Sequence, residues 1–292
     1  MNHLECELLD QLSRHQTITK AAEAMQLSQS TITKRLKQME AGFDVQIVHR
    51  GKKGIHFTPE GEYLAACARS ILKEIEAMKD TLWNMEEEVK GTIKIAVSNF
   101  LTSFMLFDVI RAFKEMYPEV DFRITTGWSR DMYERVRSDE VHVSFIRGDY
   151  QWRGRKHLLF EETLCVASKE PLPLEALPAA SRIDYKKDAK LAGMIDSWWD
   201  WNFREIPKVS MVLDNAESCR EMIRNGLGYS IVTSLVVRDM DDIHKTELKD
   251  RAGKRITRGS WMFCREQSME LKAVREFVEF VENYDAERHS AG

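Results

Sequence analysis

Residues 17–50, TITKAAEAMQLSQSTITKRLKQMEAGFDVQIVHR, contain two stretches of helical pattern with a short break between them. Thr17 and Ser28 precede these stretches, and a hydroxyl side chain at such a position can cap the N-terminus of a helix. Apolar residues then mark one side of each stretch: Ala21, Ala22 and Met25 in the first, and Ile32, Leu36 and Met39 in the second. The pattern predicts two short helices joined by a turn at Gln26 and Leu27.

The second predicted helix has an outward face that is short, polar and basic. It consists of Gln29, Ser30, Thr31, Thr33, Lys34 and Lys37. Amides and hydroxyls can hydrogen-bond to base edges in the major groove of DNA, and lysines can lie against phosphates. A core helix with a solvated face shows the same periodicity, so this helix alone leaves both interpretations open.

The sequence that follows favours DNA binding. Residues 47–58, IVHRGKKGIHFT, place two short β-prone runs around a tip that contains Arg50, Lys52 and Lys53. Between Ser28 and Thr58, six Lys and Arg residues outnumber two acids, a local charge of +4 in a chain whose formal net charge is −4. The stretch therefore predicts a winged helix-turn-helix over residues 1–58, with positive charge where phosphates would lie.

Residues 4–62 resemble the N-terminal domain of LysR-type bacterial transcriptional regulators. The resemblance is carried by Leu9, Leu12 and the runs TITKAA, LSQSTITKRLKQME, HR and FTPEGE. It implies two sets of DNA-contacting residues. Those on the recognition helix are Gln29, Ser30, Thr31, Thr33 and Lys34, and those on the wing are Arg50, Lys52 and Lys53.

The sequence departs from the family pattern at three places. Ser30 stands where proline is usual, Asp44 where glycine is usual and Val48 where phenylalanine is usual. These departures leave the expected fold intact and concern which operator sequence is recognised. The resemblance extends over the whole chain, but its specific motifs lie before residue 90.

A long helix is predicted after the wing. Thr58-Pro59-Glu60 supplies a cap, a proline in the first turn and an acid near the N-terminus. Apolar residues then alternate four and three positions apart: Leu64, Ala68, Ile71, Ile75, Met78, Leu82, Met85 and Val89. Such a stripe can pack against its own domain, but its narrowness and the charged opposite face favour a dimerising linker helix over residues 59–90. The resemblance implies the same.

From Gly91 onward, β-prone and helical runs alternate, which predicts a mainly parallel sheet. The resemblance implies a two-lobed α/β effector domain over residues 91–292, similar to periplasmic binding proteins. Lobe I is expected at 91–161 and 266–292, and lobe II at 162–265. The expected fold class is thus mixed α and α/β.

Polar residues lie where the predicted strands end, and in an open α/β sheet these ends border the ligand crevice. They are Ser98, Asn99, Thr102 and Ser103 after the first strand, Thr126 and Gly127 at the second, and Arg147 at the third. In lobe II, Asp196 and Asn215 are expected in loops that face the crevice. The groups suit a small anion. Helix capping by Ser98 or Asn99, and pairing of Arg147 with Asp149, are the alternatives.

Several other classes of protein are disfavoured. The chain has no P-loop, GxSxG, HExxH or zinc-like spacing, so no enzyme activity, cofactor or metal is expected. Its N-terminus is acidic and no apolar run reaches about 18 residues, so a cytoplasmic protein without a membrane segment is expected. The five cysteines lack a CxxC pair and are expected to be buried, with redox sensing as the minor alternative.

These features predict a homodimeric or homotetrameric regulator that binds double-stranded operator DNA and responds to a small, anionic effector. RNA polymerase is a candidate further partner. The alternative is a DNA-binding oligomer whose C-terminal lobes serve assembly only. Stabilisation by a small molecule would separate the two hypotheses, because a ligand of the native state must stabilise it.

Overall fold

The computed structural model describes residues 1–51 and 54–290, without the side chains of Ser103 and residues 285–290. Lys52, Lys53 and the Ser103 side chain, all expected at binding sites, therefore lie outside the described residues. The chain forms two compact units, residues 1–87 and 88–292.

The first unit begins with three helices, α1 (His3–His15), α2 (Ile18–Ala24) and α3 (Gln29–Phe43). Thr17 and Ser28 cap α2 and α3 as predicted, each accepting a hydrogen bond from a backbone amide of the first turn. The turn between them requires a left-handed backbone at Gln26, whose φ is 54°. Ala21, Ala22, Ile32, Leu36 and Met39 of the predicted apolar faces are buried in one core with Leu8, Leu9, Leu12 and Ile47, and Met25 is half-buried against it. The helix-turn-helix prediction is confirmed.

A two-stranded wing follows, formed by β1 (Val48–Gly51) and β2 (Gly54–Phe57) in antiparallel register. Gly51 pairs with Gly54, so the connection has two residues. The backbone carbonyl of Gln16 accepts a hydrogen bond from the Ile55 amide at 2.9 Å. A Cβ on Gly54 would lie 2.4 Å from that carbonyl, and the φ of +130° also favours glycine. The wing is thereby fixed against the end of α1.

The long helix α4 (Pro59–Asn84) is six residues shorter than predicted. Met85 is its C-cap, and Val89 instead packs against an apolar core of the second unit. Three successive acids, residues 86–88, oppose the negative C-terminal end of the helix dipole and explain why the helix ends there. None of the helices in the described part of the chain combines the length and apolar character that a membrane crossing needs.

Lobe I of the second unit has a sheet of five strands: β3 (Gly91–Ser98), β4 (Val120–Gly127), β5 (Val143–Arg147), the first half of β6 (Arg155–Ser168) and β11 (Thr257–Cys264). Their order across the sheet is β4-β3-β5-β11-β6. β3 is parallel to β4 and β5, whereas β11 is antiparallel to β5 and β6. The prediction of a mainly parallel sheet is therefore wrong, because β11 runs in the opposite direction between β5 and β6 and makes the sheet mixed. The helical segments are α5 (Asn99–Leu101), a π-helix (Thr102–Leu106), α6 (Phe107–Met116), α7 (Ser129–Arg137) and α10 (Lys272–Ser290). Its main apolar core includes Phe113, Phe145 and Phe277.

Lobe II is built on the second half of β6, which pairs with β9 (Ser230–Thr233) and β10 (His244–Glu247). β7 (Arg182–Tyr185) and β8 (Val209–Leu213) form a parallel pair next to β9. The helices are α8 (Ala189–Asn202) and α9 (Ala216–Arg224), with 3-10 turns at Leu174–Ala176 and Ser234–Val237. Trp198 and Trp199 are buried in the core of this lobe.

One strand lies in a different lobe than expected. Residues 257–264 are expected in lobe II, but β11 is hydrogen-bonded between β5 and the first half of β6. Its Met262 and Cys264 side chains pack in the core of lobe I. The chain therefore returns from lobe II near residue 256, and the expected boundary at 265 is too late by one strand.

Candidate DNA interface and interlobe crevice

The predicted outward face of α3 is polar and largely exposed. Gln29, Ser30, Lys34 and Lys37 are exposed and Thr31 and Thr33 are half-buried. The capping Ser28 hydroxyl lies 2.8 Å from the hydroxyls of both Ser30 and Thr31. Two of the predicted DNA contacts are thus held in the cap of the helix. The other four make no hydrogen bond or ion pair to any described residue, so their side chains are free: Gln29, Thr33, Lys34 and Lys37.

The start of the wing is hydrogen-bonded to the end of this helix. Arg50 is exposed on β1. The Glu40 carboxylate at the end of α3 accepts hydrogen bonds from the backbone amides of Ile47 at 3.0 Å and Val48 at 3.4 Å. This contact fixes the start of the wing to α3. This positioning role of Glu40 is not predicted from the sequence, because it depends on the geometry of the turn that follows α3.

In lobe I, the register of the sheet brings several predicted residues together. Ser98 is paired with Gly127 at the ends of β3 and β4. The Ser98 hydroxyl is buried without a hydrogen-bond partner among the described residues, and the Thr102 hydroxyl donates to the Ser98 carbonyl at 3.3 Å. Asn99 and Thr126 are exposed. Ser98 therefore has free hydrogen-bonding capacity, whereas Thr102 is used within the turn.

Arg147, at the end of β5, is buried and already paired. Its guanidinium forms an ion pair with Glu162 and donates to the Thr233 hydroxyl at 2.9 Å, and its guanidinium carbon lies 3.8 Å from the Phe100 ring centroid. Burial lowers the pKa of the Arg147 guanidinium, while Glu162 partly offsets this effect. The alternative partner Asp149 pairs with Lys156 instead.

A second buried arginine lies beside the first. Arg258 is paired with Glu162 in the register of β11 and β6, and its guanidinium forms an ion pair with Asp188, the N-cap residue of α8. Arg258, Glu162, Asp188 and Phe100 are not predicted from the sequence. For Glu162 and Arg258, the sequence does contain a signal of a buried ion pair, namely a charged residue inside a β-prone run, as in FEETLCV and ITRGSWM.

Asp196 and Asn215 are expected in loops of lobe II, but Asp196 lies within a helix and Asn215 caps one. Asp196 lies on the exposed side of α8 rather than in a loop, because Ile195, Trp198 and Trp199 form the buried side. Asn215 is the N-cap of α9, where its side chain accepts a hydrogen bond from the Ser218 amide at 2.8 Å. The residues that follow Asn215 do border the crevice.

A cavity of about 230 Å³ lies between the two lobes. Lobe I contributes Phe100 and Phe104, and lobe II contributes the start of α9 and residues 235–239. The lining consists of Phe100, Phe104, Ala216, Glu217, Arg220, Leu235, Val236, Arg238 and Asp239. Arg147 is not among the residues that line this cavity.

Four of the five cysteines, Cys6, Cys165, Cys219 and Cys264, are buried as expected, whereas Cys67 is only half-buried. Burial raises the pKa of Cys165 and of Cys264 to about 12, and it also raises the pKa of Cys6 and Cys219. A raised pKa leaves little of the reactive thiolate at neutral pH. The described residues contain no group of three or more His, Cys, Asp or Glu side chains arranged to hold a metal ion.

Comparison with known proteins agrees with this architecture. Residues 4–62 match the profile of the bacterial regulatory helix-turn-helix protein, lysR family, and residues 86–286 match the LysR substrate binding domain. The uncharacterised HTH-type transcriptional regulator YraN of Bacillus subtilis (strain 168) is 36% identical over 281 residues, covering 96% of this chain and 97% of the relative. YkuM of the same organism, also an uncharacterised HTH-type regulator, is 31% identical over 281 residues, or 96% of each chain.

Solved structures share the fold. The full-length virulence activator AphB of Vibrio cholerae has a TM-score of 0.64 at 16% identity, covering 98% of this chain and 100% of AphB. Full-length CbnR complexed with its target DNA also has a TM-score of 0.64, at 20% identity, covering 97% of this chain and 99% of CbnR. The profiles together span most of the sequence, and the relatives are regulators rather than enzymes. The chain is a DNA-binding transcriptional regulator and belongs to the LysR family.

Proposed function

We propose that this regulator binds operator DNA as a homodimer or homotetramer and that a small effector in the interlobe crevice controls its binding. The observation that carries the proposal is the polar and basic face of α3, on which Gln29, Lys34 and Lys37 are exposed and have no partner among the described residues. The same chain also has a two-lobed domain with a cavity. Gln29, Thr33 and Lys34 would contact the DNA from α3, with Lys37 and Arg50 on phosphates. We expect Lys52 and Lys53, which lie outside the described residues, to contact phosphates as well.

The apolar stripe of α4 supports assembly. Met78 is 58% exposed and Leu82 is 61% exposed, although each belongs to a regular heptad pattern. A second copy of α4 would bury these side chains, and pairing two chains would present two α3 helices to two operator half-sites. The choice between dimer and tetramer is tested by sedimentation of the full chain.

The crevice supports control by a ligand. The match to the LysR substrate binding domain and the cavity between the lobes favour a ligand-responsive regulator over lobes that serve assembly only. The expected contacts at the strand ends were Ser98, Asn99, Thr102, Ser103, Thr126, Gly127 and Arg147. Ser98 and Asn99 retain free polar groups, but Arg147 is paired with Glu162, so its charge is not available to an anionic effector.

Two measurements test this function. Sequencing of the genomic fragments that the full-length protein selects should yield a two-fold symmetric operator, and its flanking genes should indicate the effector's pathway. A thermal-shift screen with small metabolites should then identify a compound that raises the melting temperature and changes operator affinity. Fragments without a common sequence would contradict operator recognition. Contact with RNA polymerase, and a cytoplasmic location, are further parts of the proposal that co-purification from the native cell would test.

A further inference from the structure

The cavity between the lobes has an apolar wall that suits a side chain of moderate size. The Phe100 and Phe104 rings stack with their centroids 5.7 Å apart and an interplanar angle of 14°, and Leu235 and Val236 complete the apolar lining. The volume of about 230 Å³ exceeds the roughly 150 Å³ of an engineered cavity that holds benzene. The wall can therefore take an aliphatic or aromatic group.

The charges that line the cavity are balanced in sign. Arg220 and Asp239 neutralise each other through hydrogen bonds of 2.7 and 2.9 Å. Glu217 and Arg238 line the same cavity, and neither forms an ion pair with any residue that the structure describes. The Arg238 guanidinium lies 5.0 Å from the Phe104 ring centroid, so it is placed at the apolar wall. One carboxylate and one guanidinium thus remain free for a ligand.

The buried arginines next to this wall do not favour a simple anion. Phe100 lies against Arg147, whose charge is paired with Glu162, and Arg258 is paired with Asp188. These pairs leave no uncompensated cation in the arginine cluster. Moving a lone anion out of water is costly without such a partner, so the cluster gives an anionic ligand no net advantage.

We infer that the cavity binds a small zwitterion of the amino-acid type with an apolar side chain, and that this ligand is the effector. Arg238 pairs with its carboxylate, Glu217 pairs with its ammonium group, and the side chain lies against Phe100 and Phe104. The inference rests on the proposed function, because it names the ligand class for the crevice assigned there.

The test uses the full-length protein and isothermal titration with the standard amino acids. We expect an amino acid with an apolar side chain to bind. For the tightest one, the analogue without its ammonium group and the analogue without its carboxylate should each bind at least about tenfold more weakly, the loss expected for one charged hydrogen bond. Glu217→Gln should weaken the amino acid about tenfold but leave the deaminated analogue unchanged. Arg238→Gln should likewise weaken the amino acid about tenfold but leave the affinity of the decarboxylated analogue unchanged.

Two control variants, Glu175→Gln and Arg204→Gln, remove exposed charges that do not line the cavity and should leave every affinity unchanged. Glu217 and Arg238 are exposed, so their variants should fold. The inference is overturned if no standard amino acid binds, or if the deaminated analogue binds as tightly as its parent. Operator binding is measured on the same samples: if it is intact when amino acids fail to bind, the ligand class is wrong while the DNA-binding function stands.

Discussion

The Phe100 ring centroid lies 3.8 Å from the guanidinium carbon of Arg147, and the same ring packs against the apolar cores of both lobes. Arg147 in turn bonds to Glu162 on β6 and to Thr233 in lobe II. The Phe100 ring and the Arg147 guanidinium therefore connect the strand ends of lobe I with lobe II. A ligand that contacts Phe100 acts on a side chain that both lobes share.

Phe100→Ala should lower the free energy of unfolding by about 2 kcal/mol, less than the roughly 3–5 kcal/mol of a fully buried phenylalanine, because the residue is half-buried. Phe100→Leu keeps most of the apolar contact and loses the stacking on Arg147, so it should cost only about 1 kcal/mol. Urea denaturation followed by fluorescence measures both values. If the alanine variant is as stable as the parent, the ring does not connect the lobes energetically.

Glu162→Gln should cost about 3 kcal/mol of stability, because it leaves the buried Arg147 guanidinium without a counter-ion. Glu161→Gln is the matched control: it removes the same charge from the adjacent, exposed position and should change stability by less than about 0.5 kcal/mol. Equal midpoints in urea for the two variants would show that Arg147 finds another partner.

The helices and the wing of the first unit could be predicted because their signals are local. Ser28 caps α3 from an adjacent position, and the apolar spacing of Ile32, Leu36 and Met39 reports the buried side directly. The glycines and lysines of the wing are local signals of the same kind.

The ion pairs of the crevice could not be predicted in this way. Glu162 is 15 positions from Arg147, and Asp188 is 70 positions from Arg258, so their pairing depends on how distant strands align. The end of α4 was misjudged for a related reason. Val89 continues the apolar spacing of the helix, but its burial comes from a different core.

Replacing Lys52 and Lys53 by alanine should weaken binding to all duplexes by a similar factor. It should also reduce the slope of log affinity against log salt concentration by about 2, because each lost phosphate contact contributes about 0.9.

Gln29→Ala should instead change which bases are preferred and leave the slope unchanged. Lys208→Ala is the control for loss of positive charge, because it removes an exposed lysine of lobe II instead of one in the wing. Fluorescence anisotropy at several salt concentrations gives both quantities. A changed base preference in the lysine variant would contradict the division between α3 and the wing.

Met78→Asp should separate the chains without unfolding them. Met78 is 58% exposed within the chain, so a charge there costs the isolated chain little. When two α4 helices pair, the introduced charge would be buried without a partner. It should therefore weaken the dimer by about 3 kcal/mol or more. Operator affinity should fall as the dimer is lost, because one chain presents a single α3.

Ala77→Asp is the control. It places the same charge one residue away, outside the apolar stripe, and should leave assembly intact. Analytical ultracentrifugation measures the result, and a Met78→Asp protein that sediments like its parent would show that α4 does not pair along this stripe.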